Sequence, residues 1–109
     1  MVDPKIMCRK HLLGEHVEHH MIVGSIIKQK SLDGYIRENC IEPLSIKSRH
    51  EELKNEMILR GYKHNSSLPE FNLNYLTNEV RNYKINKNKS LNDLISRCPE
   101  CNKRFKNKI

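Results

Sequence analysis

Apolar residues fall at Leu13, Val17, Ile22, Val23, Ile26 and Ile27 on an approximate helical period, which predicts one long helix from about Ile6 to Lys28. Gly14 and Gly24 weaken it slightly without breaking it. On that helix His11, Glu15 and Glu18 stand at i, i+4 and i+7 and share one stripe, with Leu13 and Val17 on a neighbouring stripe expected to face the core. Ser31-Leu32-Asp33-Gly34 reads as a turn, and Ile41-Glu42-Pro43 leads toward a second helix from about Ser45 to Arg60. Ser48 with Glu51 resembles a capping box, Leu53, Met57 and Ile58 supply the buried face, and Gly61 supplies a left-handed stop.

His64 to Pro69 reads as a loop, and Phe71 to Tyr83 carries a weak helical pattern. Asn86-Lys87-Asn88-Lys89 reads as a polar linker before a last helix opened by Ser90 and Asp93, with Leu91, Leu94, Ile95 and Cys98 on one face. Pro99 should end or kink that helix, because it lacks a backbone donor and crowds the preceding turn. No internal repeat is visible. The expected fold is all-α: one domain over residues 1–109 with about three main helices and an N-terminal segment packed between them.

Composition narrows the picture. With 109 residues there is room for one core, and 37% hydrophobic content without tryptophan means a core of Leu, Ile, Met and a few Tyr. Lys and Arg number 20 against 13 Asp and Glu. The surplus is concentrated in residues 72–109, which hold nine basic and three acidic residues, and 84–109 form a basic C-terminal segment. A field of that sign attracts phosphate backbones but reads no sequence, and solvated lysines alone would give the same count. No run is long enough to span a membrane and no signal-peptide pattern opens the chain, so an intracellular location is expected. In that compartment Cys8, Cys40, Cys98 and Cys101 are expected as thiols or metal ligands, not disulfides.

A carboxylate beside imidazoles on one stripe is a general acid/base arrangement, although a charged helix face explains the same spacing. His11-Leu12-Leu13-Gly14-Glu15-His16-Val17-Glu18 adds more. It resembles the first helix of the pyrimidine-dimer DNA glycosylases, the viral and phage repair enzymes also called endonuclease V, whose His-Leu-x-x-Glu-x-x-Glu pattern ends on the catalytic glutamate. Arg49-His50-Glu51-Glu52-Leu53, then Glu56 and Arg60-Gly61-Tyr62, is similar to that family's second helix and its Arg-Gly-aromatic ending. The two matches cover about the first 70 residues.

The resemblance implies a glycosylase with abasic-site lyase activity that excises cyclobutane pyrimidine dimers. Its N-terminal α-amine would attack the sugar C1′, form an imine and cut the strand by β-elimination. An α-amine, with a pKa of about 7.7 to 8.0, is far more nucleophilic near neutrality than lysine. With Met1 removed, Val2 supplies it. Glu18 matches the catalytic glutamate, His11 a histidine at the DNA face, and Lys10, Glu15, Lys103 and Arg104 complete the expected DNA-binding set. The chain departs from the pattern at Val17 and Met21, where the family can carry arginines, and in its tail, reduced to Lys103-Arg104-Phe105-Lys106. The expected partner is double-stranded DNA carrying UV lesions, bound by a monomer, with the duplex kinked and a nucleotide extruded.

The competing chemistry is metal binding. Cys98-Pro99-Glu100-Cys101 has zinc-knuckle spacing, and Cys8 with His11 repeats it, so together they could make four tetrahedral ligands. No cofactor is expected, with zinc at Cys98 and Cys101 as the open alternative; using His11 as a ligand would take it from the DNA face. His16 and His20 are four apart as in metalloprotease helices, but that motif needs Glu directly after the first His and here Val17 follows. The alternative from another class is therefore a non-enzymatic basic DNA-binding module stabilised by zinc.

Overall fold

The computed structural model describes residues 2–63 and 67–108. Within them the chain forms α1 (Arg9–Ile27), α2 (Asp33–Arg37), α3 (Ile46–Leu59), α4 (Asn78–Arg81), α5 (Lys87–Arg97) and α6 (Pro99–Lys108), with 3-10 turns at Pro4–Ile6 and Pro43–Ser45 and no strand among the described residues. The all-α expectation is met, with four of these helices longer than two turns.

α1 packs on α3, α5 on α6, and the Pro4–Ile6 turn lies against both α3 and α6. That placement is held by hydrogen bonds to carbonyls of the N-terminal segment. Arg60 Nη2 donates to Pro4 O at 3.0 Å, and Arg104 Nε donates to Lys5 O at 3.1 Å. The expected packing of the N-terminal segment among the helices is what the structure has. The chain's first residue, with any terminal amine on it, and the His64 to Ser66 part of the predicted loop lie outside the described residues.

Two apolar clusters make the core. One joins Ile22, Val23 and Ile26 of α1 to Leu32, Ile41, Ile46 and Leu76; the other joins Val2, Ile6 and Met7 to Leu12, Leu53 and Met57. Between them, where α1 faces α3, the buried residues are polar: His16 and His19 on α1, Arg49 and His50 on α3. The inward stripe of α1 is therefore Leu12, His16, His19, Val23 and Ile26. The expectation that Leu13 and Val17 face the core is corrected at Val17, which is 55% exposed; histidines at buried positions displaced the apolar count by one residue.

Helix ends follow local chemistry. α3 closes with Tyr62 N donating to Met57 O and Gly61 N to Ile58 O, each at 2.9 Å, around Gly61 at φ +81°; this is the predicted left-handed stop. The Ser48 capping box is not formed. Ser48 already lies inside α3 and its hydroxyl donates back to Ser45 O at 3.0 Å, because the Pro43–Ser45 turn starts the helix earlier. Ile58, expected inside, is 53% exposed. Ser31 to Gly34 is less a turn than the entry to α2, with Ser31 Oγ accepting from Asp33 N. Of Phe71 to Tyr83 only Asn78–Arg81 is helical, capped by Thr77.

The predicted linker Asn86 to Lys89 is the first turn of α5, because the Asn86 side chain caps it by accepting from Lys89 N at 3.0 Å. Ser90 and Asp93 therefore do not open the helix. Pro99 ends α5 as expected, then starts α6, a helix the apolar pattern had not indicated.

Candidate functional site: one cleft and a cluster of sulfur ligands

A cleft of about 540 Å³ opens beside α1, between the N-terminal segment, the end of α2 and one face of α5. Val2, Lys10, His11, Glu15 and Glu18 all line it, with Glu38, Asn39, Cys40, Asp93 and Arg97 among the facing residues. The stripe at i, i+4 and i+7 thus points into one space. Lys103 and Arg104 are not part of that lining; they are exposed on α6, and Arg104 is engaged with the Lys5 carbonyl.

The two glutamates of the stripe have different surroundings. Glu15 forms a two-point ion pair with Arg49, whose Nε donates to Oε2 at 2.5 Å and Nη2 to Oε1 at 3.0 Å. Arg49 also reaches Glu52 at 3.3 Å and has a side chain only 1% exposed. Its charge is thus taken out of water and matched by a fork-to-carboxylate contact. Glu18 has no such cation among the described residues; burial first and the Glu15 charge second push its carboxyl pKa above the ordinary value. A carboxyl of that kind exchanges protons more readily near neutrality than an ordinary glutamate does.

Other groups on the cleft wall act as supports. His19 Nδ1 lies 3.0 Å from the Glu15 carbonyl oxygen and its pKa is lowered, chiefly by burial. Asn39, left-handed at φ 58°, accepts from Asn86 N at 2.9 Å and from Tyr83 Oη at 3.0 Å, and donates to Ser90 Oγ at 3.1 Å, fastening α5 to the end of α2. The Cys40 thiol is pushed up by burial and then by Glu18, Glu38 and Glu15, the opposite of what an activated sulfur nucleophile requires.

At one end of the cleft the start of α1 meets the start of α6. Cys8 Sγ lies 3.1 Å from His11 Nδ1 and 3.8 Å from Cys98 Sγ, and Cys101 Sγ lies 3.6 Å from His11 Nδ1. All four donor atoms are within 4.8 Å of one another. A tetrahedral zinc with Zn–S bonds of about 2.3 Å and Zn–N of about 2.0 Å has ligand-to-ligand edges of roughly 3.5 to 3.8 Å, so the donor set fits that ion. Backbone amides point at the sulfurs: Cys8 N donates to Cys101 Sγ at 3.2 Å and Cys101 N to Cys98 Sγ at 3.5 Å. The Cys101 N–H holds the Cys98 thiol below its usual pKa, while burial pushes Cys101 up to about 12. A cation among them would favour thiolates at all three positions. The four cysteines are free of disulfides, as expected.

Sequence spacing identified both ligand pairs and that together they could supply four tetrahedral ligands; the structure brings them to one point across some 90 residues. Spacing passed over Arg49 as a partner for Glu15; a basic residue on the second helix at a buried register was the available signal.

No curated protein and no solved structure matches the chain. A family model described as pyrimidine dimer DNA glycosylase matches residues 1–70, the part that carries α1, α3 and the glutamate stripe. The chain belongs to the pyrimidine dimer DNA glycosylase family, whose members are DNA repair enzymes acting on DNA.

Proposed function

We propose that this chain excises cyclobutane pyrimidine dimers from UV-damaged duplex DNA and then cuts the strand at the resulting abasic site. The α-amine of Val2, after removal of Met1, attacks C1′; the N–C1′ bond forms as the glycosylic bond breaks, its electron pair leaving on the base. Opening of the sugar gives a protonated imine. Loss of a C2′ proton then expels the 3′ phosphate oxygen and breaks the strand. Glu18 stabilises the cationic imine and carries protons.

The observation that supports this reading best is that Val2 and Glu18 line one cleft in a member of this family. Lys10 and Arg97 on the same walls are suited to phosphate contacts, and Lys103 with the rest of the basic C-terminal segment to the flanking backbone. Glu15, on the same cleft wall, is placed for the DNA as well and is held there by Arg49. The protein works as an intracellular monomer in this reading.

Zinc held by Cys8, His11, Cys98 and Cys101 is proposed as a structural component. When bound, it ties α6 to the start of α1 and so holds the N-terminal segment against the cleft. In that case His11 is a ligand whose ring forms part of the cleft wall, and it contacts DNA only through its edge.

The test is a duplex carrying one defined thymine dimer. The wild-type chain should release the glycosylic bond and nick the strand, and Glu18→Gln should do neither while still binding the duplex. A second reading, a zinc-stabilised DNA-binding module without catalysis, is favoured by the sulfur cluster alone. Binding without any bond cleavage by the wild-type chain would establish it over the first.

A further inference from the structure

The polar layer between α1 and α3 contains a second group of donors that the repair reading does not use. His16 and His20 stand one turn apart on α1 and project from the same face; His50 reaches them from α3. The ring centroids are 4.9 Å apart for His16 and His20, 5.0 Å for His16 and His50, and 5.3 Å for His20 and His50. One nitrogen of each ring lies within 4.8 Å of those of the other two. His16 and His50 are buried, at 8% and 3% exposure. His20 Nε2 is buried with no hydrogen-bond partner among the described residues.

We propose that His16, His20 and His50 form a second metal site, for a divalent ion of the zinc, cobalt or nickel class, distinct from the sulfur cluster. An imidazole nitrogen withdrawn from water without a partner loses its hydration for nothing, whereas coordination satisfies it. Three neutral imidazoles and no thiolate select borderline ions over calcium or magnesium, which prefer oxygen. Three protein ligands leave a fourth position for water or an anionic oxygen, the pattern of open zinc sites. Glu51 Oε1 lies 4.0 Å from His50 Nδ1, so a carboxylate stands behind the ring as an outer-shell partner. A hydrolytic protease role does not follow, since Val17 stands where that motif places its glutamate.

The proposal is independent of the glycosylase reading and is tested on the full chain with the metal alone. Native mass spectrometry after zinc loading and desalting should find two ions per chain. His20→Asn, a substitution at a half-buried position, should retain one. Loading with cobalt distinguishes the sites: the sulfur cluster gives intense sulfur-to-metal charge-transfer absorption, which His20→Asn should keep while losing one equivalent of cobalt. His16→Asn repeats the measurement should His20→Asn fail to fold by circular dichroism. A folded wild-type chain whose bound cobalt is all in the sulfur-ligated spectrum overturns the site, and so does a folded histidine variant that retains as much metal as the wild-type chain.

Discussion

Arg49 and Glu15 lock α3 to α1 through two parallel contacts, Nε to Oε2 and Nη2 to Oε1, with the guanidinium 1% exposed. The pair sits in the polar layer that separates the two apolar clusters, so α1 and α3 meet through hydrophobic packing at both ends and charge in the middle. Removing Glu15 leaves the buried Arg49 charge with only its longer contact to the exposed Glu52, at 3.3 Å. Glu15→Gln should therefore cost about 3 to 5 kcal/mol. Urea unfolding measures it, and an unchanged midpoint would show that Glu52 alone suffices for Arg49.

Glu18 belongs to the same stripe but carries no cation partner among the described residues, which fits a group that acts on substrate instead of holding the fold. Glu18→Gln should reduce dimer incision at least about 100-fold, in the range that removal of a proton-transfer group produces. Its affinity for the same duplex in a gel-shift titration should stay within about threefold, a difference of less than 1 kcal/mol. Equal losses of both would mean that Glu18 supports binding and not chemistry.

The sulfur cluster makes metal content a stability variable. Because coordination exists only in the folded chain, its free energy adds to folding. Chelation should lower the thermal midpoint, zinc should restore it, and Cys98→Ser should reproduce the loss. Cys40→Ser is the control: that thiol lies outside the cluster, and its replacement should leave the zinc content of the cluster intact.

Glu42 links pH to the packing of the segment before α5. Burial works to raise its pKa, but the Ser45 hydroxyl and the Ile85 N–H it accepts, with Lys84 and Lys87 nearby, outweigh that and lower it. A lowered folded pKa gives stability that is present above the ordinary glutamate value of about 4.3 and lost as pH falls through the folded value. Glu42→Gln should cost about 1 to 2 kcal/mol near neutrality, as loss of hydrogen bonds to a charged group does. The difference from wild type should shrink in acid. A deficit that is constant with pH would assign the effect to shape and not to charge.

How much of this was legible depended on whether the signal was local. α3 was, because Leu53 and Met57 keep the period and Gly61 ends it. The inward face of α1 was misplaced because His16 and His19 are buried polar residues, which no hydrophobic count registers as core. The start of α5 was hidden by its own cap: Asn86, Lys87 and Asn88 look like linker until the Asn86 side chain is seen accepting from Lys89 N. α6 has few apolar residues and owes its position to Phe105 and Cys101 packing on the N-terminal segment. The two Cys/His ligand pairs and their joining into one four-ligand set were readable from spacing, whereas the meeting of His50 with His16 and His20 belongs to tertiary structure alone. Glu18 was singled out from its neighbours only by resemblance, since Glu15 has the same residue type and the same stripe.

The most direct test is reductive trapping. The folded chain is incubated with UV-irradiated duplex DNA and borohydride, and any covalent complex is digested and sequenced by mass spectrometry. An imine formed by the terminal amine predicts a protein–DNA adduct mapped to the first residue of the mature chain, absent when that amine is acetylated. Strand cleavage at dimers with no trapped adduct, or an adduct mapped to a lysine side chain, would contradict the account.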